Sequence, residues 1–193
     1  FKNLVSVVGA LAVLYIGIGF VADFVAMSIS EETEAKVFGP AVSMLQSASV
    51  PPEFNLAEKT FERLIRGSDM RPLPHRVAHW GDSQPNACAV PGGGVIVTRG
   101  LLNTVTNETA LAFVLGHELG HHQHRHTLRG IGRSLLVSLV YRGIFGATGG
   151  DVVSDTLEMA ELGHSRRAEH EADEFGFRLA YACFGNADGY LEF

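Results

Sequence analysis

The chain has 193 residues, 46% of them hydrophobic and 19% charged, and its formal net charge is -6 at pH 7. This length allows one domain with a substantial core, and the negative charge argues against nucleic acid as a partner. The two cysteines, Cys88 and Cys183, are too few for a disulfide framework or a cysteine-ligated zinc site, although they could pair in an extracytoplasmic domain.

The N-terminal element is an uncharged apolar run over residues 4–22, close to the roughly 20 residues that span a bilayer as a helix. We predict a transmembrane helix within residues 1–29 and one further domain over residues 30–193, which could be truncated at both ends of the chain. A signal-peptide core and a buried helix are the alternatives. Lys2 precedes the run and Asp23 follows it, which favours an extracytoplasmic domain, as in a bacterial inner-membrane protein facing the periplasm.

The segment after the double proline at 51–52 predicts one helix and two short strands. Asn55 is a candidate N-cap with a glutamate three residues later, and Gly67 is a candidate helix end. Segments 76–80 and 95–98 predict strands, and a proline–glycine turn precedes the second.

The segment from Asn107 to residue 128 predicts a long amphipathic helix that carries the motif His-Glu-Leu-Gly-His. His117 and His121 are four residues apart and therefore lie on one face of the helix, where both imidazoles can bind one metal ion. Glu118 is one residue further along the helix and can hold a metal-bound water. This set predicts a zinc hydrolase with an open coordination position.

Other histidines crowd the end of the same helix. We predict that His122, His124 and His126 are solvated residues of its polar face, although the spacing of His122 and His126 also permits a second metal site. The apolar, glycine-rich segment 131–150 predicts either an amphipathic hairpin or flap near the active site, or an ordinary core helix.

Two further helices are predicted downstream, one opening at Asp155 with Glu158 and one capped by Ser165 and ending at Gly185. A catalytic zinc site needs a third protein ligand. Spacing alone leaves five candidates, which are His164, Glu169, His170, Glu171 and Asp173.

The segments HELGH (117–121) and SRRAEHEADEFG (165–176) resemble the two motifs of the M48 metallopeptidases, the gluzincins related to Ste24, HtpX and Oma1. The segment NACAVPGGGVIVTRGLL (86–102) is similar to a third stretch of that family, with Cys88 where phenylalanine is usual. RHTL (125–128) fits the family's continuation of the motif helix, and the resemblance covers about residues 31–185.

This resemblance implies an α+β fold, mainly helical, with a small antiparallel sheet beside the motif helix. It implies that Glu169 is the third ligand of one zinc ion per chain. It also implies that Asp173 either holds a ligand histidine or donates a proton. Glu171 is expected to be structural, with Arg166 paired to it or to Asp173.

The function predicted is a zinc endopeptidase that acts on membrane-associated or misfolded proteins, with Glu118 as general base. The strand at 95–98 and the loop before it are predicted to form the sheet edge that pairs with an extended peptide. The predicted substrate-binding residues are Asn86, Gly93, Val95 and Ile96. The oligomeric state is left open.

The rival function is a latent or non-proteolytic membrane chaperone or scaffold that keeps zinc as a structural ion. A fourth protein ligand would indicate it, because structural zinc sites are closed. Candidates for that ligand or for a plug are His164, His170, His75 and His79. Another class of metallohydrolase, such as a deaminase, is disfavoured by the peptide-edge motif.

Overall fold

The computed structural model describes residues 2–44, 51–105, 107–145 and 164–186. The helices are α1 (Lys2–Ser28), α2 (Glu31–Met44), α3 (Asn55–Arg66), α4 (Arg99–Thr104), α5 (Glu108–Gln123), α6 (His126–Phe145) and α7 (Arg166–Phe184). The strands are β1 (Arg76–Trp80), β2 (Ala87–Val90) and β3 (Gly94–Thr98), and a 3₁₀ turn covers Pro52–Phe54. The predicted α+β class with a majority of helix is confirmed.

The chain divides into two compact units, residues 1–29 with 127–164 and residues 30–126 with 165–193. In the first unit, α1 is long and apolar enough to cross a membrane by its length and composition. The Arg129 guanidinium donates two hydrogen bonds to the Asp23 carboxylate, at 2.9 and 2.7 Å. Residues 131–145 belong to one continuous helix, so the predicted hairpin does not form within them. The helix predicted from Asp155 lies outside the described residues.

The second unit contains the three-stranded sheet, in the order β1-β3-β2. β2 and β3 form the antiparallel hairpin that the proline–glycine turn predicts, with Gly92 and Gly93 at φ 87° and 96°. β1 pairs with β3 in parallel, so the predicted small sheet is present but is mixed, and only its β2–β3 pair is antiparallel as predicted. The parallel pair arises because the chain places β2 at one edge of the sheet and then inserts β3 between β2 and β1.

The core of this unit is built on one face of α5. Leu111, Leu115 and Leu119 recur every four residues and have no exposed surface. They pack in one buried cluster with residues of α3, α7 and the sheet, among them Val95 and Val97 of β3. This burial fixes the helix face that carries the histidines.

Side-chain caps define the ends of the helices that carry the motifs. The Asn107 side chain accepts a hydrogen bond from the Ala110 N–H at 2.8 Å, as predicted for the start of α5. Ser165 caps α7 and Gly185 ends it in the left-handed conformation, both as predicted. Asn55 does not cap α3, because the 3₁₀ turn before it runs directly into the helix.

Helices α5 and α7 approach each other through small residues. A Cβ built on Gly176 would lie 2.6 Å from the backbone nitrogen of His117, and one on Gly120 would lie 2.9 Å from the Cα of Ala172. These glycines therefore permit the backbone contact that brings the acidic residues of α7 next to the histidines of α5.

We expect Gly176→Ala to push the two helices apart, because the obstructing atoms belong to the backbone and cannot rotate away. The expected loss is about 1–3 kcal/mol of unfolding free energy together with weaker zinc retention. Chemical denaturation and metal analysis of the full chain in detergent measure both. Gly130→Ala is the matched control, since no atom lies within 4 Å of its added Cβ, and it should lose neither.

A buried ion-pair network ties α2 to the rest of this unit. The Arg71 guanidinium contacts the Glu34 carboxylate at 2.9 Å and that of Glu31 at 3.2 Å, and it donates to the His122 carbonyl at 3.1 Å. Only 2% of Glu34 is exposed, and its other oxygen accepts from the Gly92 N–H at 3.2 Å. The network therefore links α2, the β2–β3 turn and the end of α5.

Candidate metal centre

The two motif histidines of α5 face each other across one helical turn. Their Nε2 atoms lie 3.0 Å apart, and their rings meet edge to face at a centroid distance of 4.7 Å. Ligand nitrogens on a tetrahedral zinc with Zn–N bonds of about 2.0–2.1 Å stand about 3.3 Å apart. The pair is thus spaced for one small metal ion.

Glu169, in the first turn of α7, places its carboxylate near the two histidines. Its Oε2 lies 3.5 Å from the His117 Nε2, and its Oε1 lies 3.9 Å from the His121 Nε2. The ligand atoms of the three residues all lie within 4.8 Å of one another. Two imidazole nitrogens and a carboxylate oxygen are a donor set that suits zinc and leaves a fourth position open, so the residues fit the predicted ion.

Asp173 contacts the first histidine. Its Oδ1 lies 2.8 Å from the His117 Nδ1, one helical turn beyond Glu169. A carboxylate at that atom accepts the imidazole N–H and therefore leaves the Nε2 lone pair directed at the metal position.

The second histidine is oriented by residues whose role the sequence did not reveal. The His121 Nδ1 lies 3.0 Å from the Nδ1 of His126, whose Nε2 lies 3.1 Å from Glu171 Oε2. The chain turns between α5 and α6 through Arg125, at φ 57°, which folds His126 back beneath His121. His126 is buried, so the prediction of a solvated residue is wrong for it.

Glu171, which was predicted to be structural, joins this arrangement through its contact with His126. The guanidinium beside it is that of Arg167, at 2.8 Å, and not that of Arg166 as predicted. Hydrogen bonds from Arg167 and then from His126 lower the pKa of Glu171 to about 2. A carboxylate that is ionised at neutral pH therefore faces the His126 ring.

Glu118 follows His117 on α5 and is buried. Only 8% of it is exposed, and burial raises the pKa of Glu118 to about 8, with the nearby Glu169 adding to the rise. The backbone N–H of Ala89 in β2 donates to the carboxylate and partly opposes that rise. Glu118 therefore has the environment of a proton-exchanging group and not of a surface charge.

The predicted substrate-binding residues do not share one exposed sheet edge. β3 is the central strand and is paired on both sides, so the prediction that it forms the sheet edge is wrong. Val95 is fully buried, Gly93 is buried in the hairpin turn, and Ile96 faces Cys88 of β2 in the ladder. Asn86 is exposed just before β2.

Within the described residues, β2 is the edge strand on the side of α5. The Asn86 carbonyl accepts from the Thr98 N–H at 3.0 Å, so residue 86 points its backbone groups toward β3. Ladder alternation then turns the N–H and C=O of Ala87 and Ala89 outward. The contact from the Ala89 N–H to Glu118 agrees with that direction.

His122 is also buried, contrary to the prediction of a solvated residue, whereas His124 is exposed as predicted. The His122 Nε2 lies 2.8 Å from the Gly94 carbonyl and joins α5 to β3. Burial lowers the pKa of His122 to about 4, from 6.5 in an unfolded chain. It is therefore a neutral structural residue at physiological pH.

A pH dependence of stability follows from His122. Between pH 6.5 and about 4, His122 is protonated in the unfolded chain but stays neutral in the folded chain. The unfolding free energy is therefore unaffected by His122 above pH 6.5 and decreases as the pH falls toward 4. We expect a loss of roughly 2–3 kcal/mol from this residue in urea unfolding at pH about 4.5 compared with pH about 7.5.

His122→Gln should flatten that dependence, because its amide can still donate to Gly94 and does not titrate. His170→Gln removes an exposed histidine from α7 and should leave the dependence unchanged. Equal pH profiles for His122→Gln and the parent chain would contradict the assignment.

The donor group of His117, His121 and Glu169 contains no fourth protein ligand among the residues that the structure describes. The His75 ring is instead 3.0 Å from the Arg71 carbonyl, and the His79 ring packs on Phe54. Cys88 and Cys183 are not joined by a disulfide in the structure, so the pairing that an extracytoplasmic domain would allow is not observed.

The sequence profile of Peptidase family M48 matches residues 53–189, which include the sheet, α5 and α7. The chain belongs to peptidase family M48. Membership in this family agrees with the order of the three sequence motifs along the chain. It also agrees with the donor group that the motifs of α5 and α7 bring together.

Curated relatives agree with this family. The mitochondrial metalloendopeptidase OMA1 of Schizosaccharomyces pombe is 34% identical over 133 residues, which are 65% of this chain and 39% of that protein. The OMA1 of Saccharomyces cerevisiae is 31% identical over 105 residues, 53% of this chain and 30% of that protein. The metalloprotease YcaL of Escherichia coli is 32% identical over 123 residues, 58% of this chain and 47% of that protein. The matched M48 region thus spans less than half the length of each of these relatives.

Proposed function

We propose that this M48 chain carries the catalytic domain of a membrane-anchored zinc endopeptidase that hydrolyses peptide bonds of membrane-associated or misfolded proteins. The observation that carries the proposal is the convergence of His117, His121 and Glu169 with Glu118 on the same helix. A structural zinc site would not require a buried carboxylate beside an open ligand position.

Each residue has a distinct task in this proposal. His117, His121 and Glu169 hold one zinc ion, which when bound supplies Lewis acidity and lowers the pKa of water. The Glu118 carboxylate is placed to take the proton of the attacking water and to return it to the leaving amine. The Ala89 N–H holds the ionised form of Glu118 in position.

Asp173 is proposed as a positioning residue that fixes the tautomer of His117. We expect Asp173→Asn to weaken zinc binding about 10- to 100-fold, since the amide can offer its own N–H and then favour the wrong tautomer. Competition with a chelator measures that affinity. Glu174→Gln is the matched control, because Glu174 is a half-exposed carboxylate on the same helix that forms an ion pair with Arg178. Equal zinc affinities for the two variants would contradict the role.

The substrate is proposed to lie along the outer edge of β2. The N–H and carbonyl of Ala87 and the carbonyl of Ala89 face outward there and can hydrogen bond an extended peptide, whose scissile bond would then pass Glu118. Asn86, at the start of that edge, keeps its predicted role. Gly93, Val95 and Ile96 are proposed to act indirectly, by holding β2 in place.

Membrane anchoring is proposed for α1, whose apolar side chains are exposed along its length. Lys2 before the apolar run and the acidic residues after it favour a catalytic domain outside the cytoplasm, on the periplasmic face of a bacterial inner membrane. Labelling of exposed Cys88 by a membrane-impermeant thiol reagent in intact cells tests this orientation.

The experiment for the function is cleavage of an unfolded protein such as casein by the full chain in detergent. Hydrolysis should stop on removal of zinc by a chelator and return with added zinc. Tight zinc binding without hydrolysis would favour the rival scaffold function, and hydrolysis that survives complete zinc removal would overturn the proposal.

A further inference from the structure

A second group of metal-binding side chains lies at the junction of α5 and α6. Its members are His124, His126 and Glu171, whose ligand atoms lie within 4.8 Å of one another. The peptidase function proposed above does not use them as ligands. The donor types repeat those of the first group, with two imidazole nitrogens and one carboxylate oxygen.

The three residues of this group differ in burial, with His124 exposed, Glu171 partly exposed and His126 buried. The His124 ring is exposed and stacks on the buried His126 ring, at a centroid distance of 5.4 Å and an interplanar angle of 16°. Arg167 holds one oxygen of Glu171, and the other oxygen faces the His126 Nε2 at 3.1 Å. The exposed His124 ring and the partly exposed Glu171 carboxylate therefore flank the buried His126 ring.

We propose that His124, His126 and Glu171 form a second site for a divalent transition metal ion, and that its occupancy opposes metal binding by His117, His121 and Glu169. The inference rests on the proposed function only in taking the first group as a zinc site. The link between the sites is the contact of 3.0 Å between the Nδ1 atoms of His121 and His126.

The position of the proton between the Nδ1 atoms of His121 and His126 favours metal binding at one site over the other. When His121 binds a metal through Nε2, its proton is on Nδ1 and is donated to the His126 Nδ1. The His126 proton then lies on Nε2, where it faces Glu171 and blocks a metal.

When the second site holds the metal, the protons of His121 and His126 occupy the opposite nitrogens. A metal on the His126 Nε2 requires its proton on Nδ1, which must be donated to His121. The proton of His121 then lies on Nε2, the atom directed at His117, and the first site loses a ligand. Binding at either site is therefore weakened by binding at the other, and by the same factor.

The test is a zinc-binding isotherm of the full chain in detergent, measured by equilibrium dialysis against buffered free zinc. The parent chain should bind one zinc tightly and a second one more weakly. His124→Asn should bind only the tight one, while His170→Asn, which removes an exposed histidine outside the group, should bind both.

The coupling is measured with His117→Asn, which removes the first site. Its remaining zinc should bind about 5- to 150-fold more tightly than the second zinc of the parent chain, the range typical of linked sites. A weak zinc unchanged in His124→Asn, or an equal affinity in His117→Asn and the parent, would overturn the proposal.

Failure of this inference is distinguishable from failure of the proposed function, because the isotherms need no hydrolysis. A chain that shows both linked zinc ions but cleaves nothing contradicts the peptidase function alone. A chain that cleaves with one zinc and never binds a second contradicts only the second site.

Discussion

Replacing Glu118 by glutamine should lower peptide hydrolysis by about 10²- to 10⁴-fold while zinc stays bound, because the amide keeps the shape of the side chain but cannot accept the proton of water. The measurement is the turnover rate on an unfolded protein together with the zinc content of the same preparation. Glu169→Gln serves as the contrasting variant, since it alters a proposed ligand and should lose zinc and activity together.

The same substitution should stabilise the zinc-free chain. Burial raises the pKa of Glu118 from 4.5 to about 8, so the folded state retains a proton that the unfolded state releases between these values. The cost of burying Glu118 therefore grows as the pH rises from 4.5 to about 8, and glutamine avoids roughly 3–5 kcal/mol of it at the upper end. Unfolding curves at the two ends of this range check the sign, and a variant less stable than the parent at high pH would contradict the assignment.

The second large effect is expected from Arg71→Met. The substitution keeps much of the side-chain volume but leaves the Glu34 carboxylate buried without its cation, and it removes the donor to the His122 carbonyl. Breaking a buried ion pair by removing one partner costs about 3–5 kcal/mol. Chemical denaturation of the full chain in detergent, followed through its single tryptophan, Trp80, measures the loss.

Arg66→Met is the matched control for this prediction. Arg66 pairs with Glu62 at 3.7 Å on α3, where 74% and 62% of the two side chains are exposed. Such surface pairs contribute about 0–1 kcal/mol. Equal losses for the two arginine variants would show that the buried network does not anchor α2.

The sequence predicts the parts of this site that depend on local periodicity. The four-residue spacing fixes His117 and His121 on one face, and Asn107 and Ser165 cap the helices that carry the site. Choosing Glu169 among five candidates required the family resemblance, because the distance between two helices cannot be read from spacing along the chain. The close contact at Gly176, which sets that distance, has meaning only once both helices are packed.

Other features depend on long-range packing and were predicted wrongly. The segment at 95–98 has the β-branched pattern of any buried strand, and nothing in it shows whether neighbours pair on one side or on both. The sequence places His126 on the polar face of α5 only if that helix continues through residue 126. The left-handed Arg125 ends that continuity and turns His126 inward, and a positive φ at a residue other than glycine has no reliable sequence signal.

The structure of the zinc-loaded Glu118→Gln variant with a bound peptide tests the central claim most directly. We predict one zinc ion on His117, His121 and Glu169, with the remaining position open to water or to the peptide carbonyl, and a peptide paired to the outer edge of β2. A fourth protein ligand on the zinc, or a peptide bound away from β2 and α5, would contradict the account.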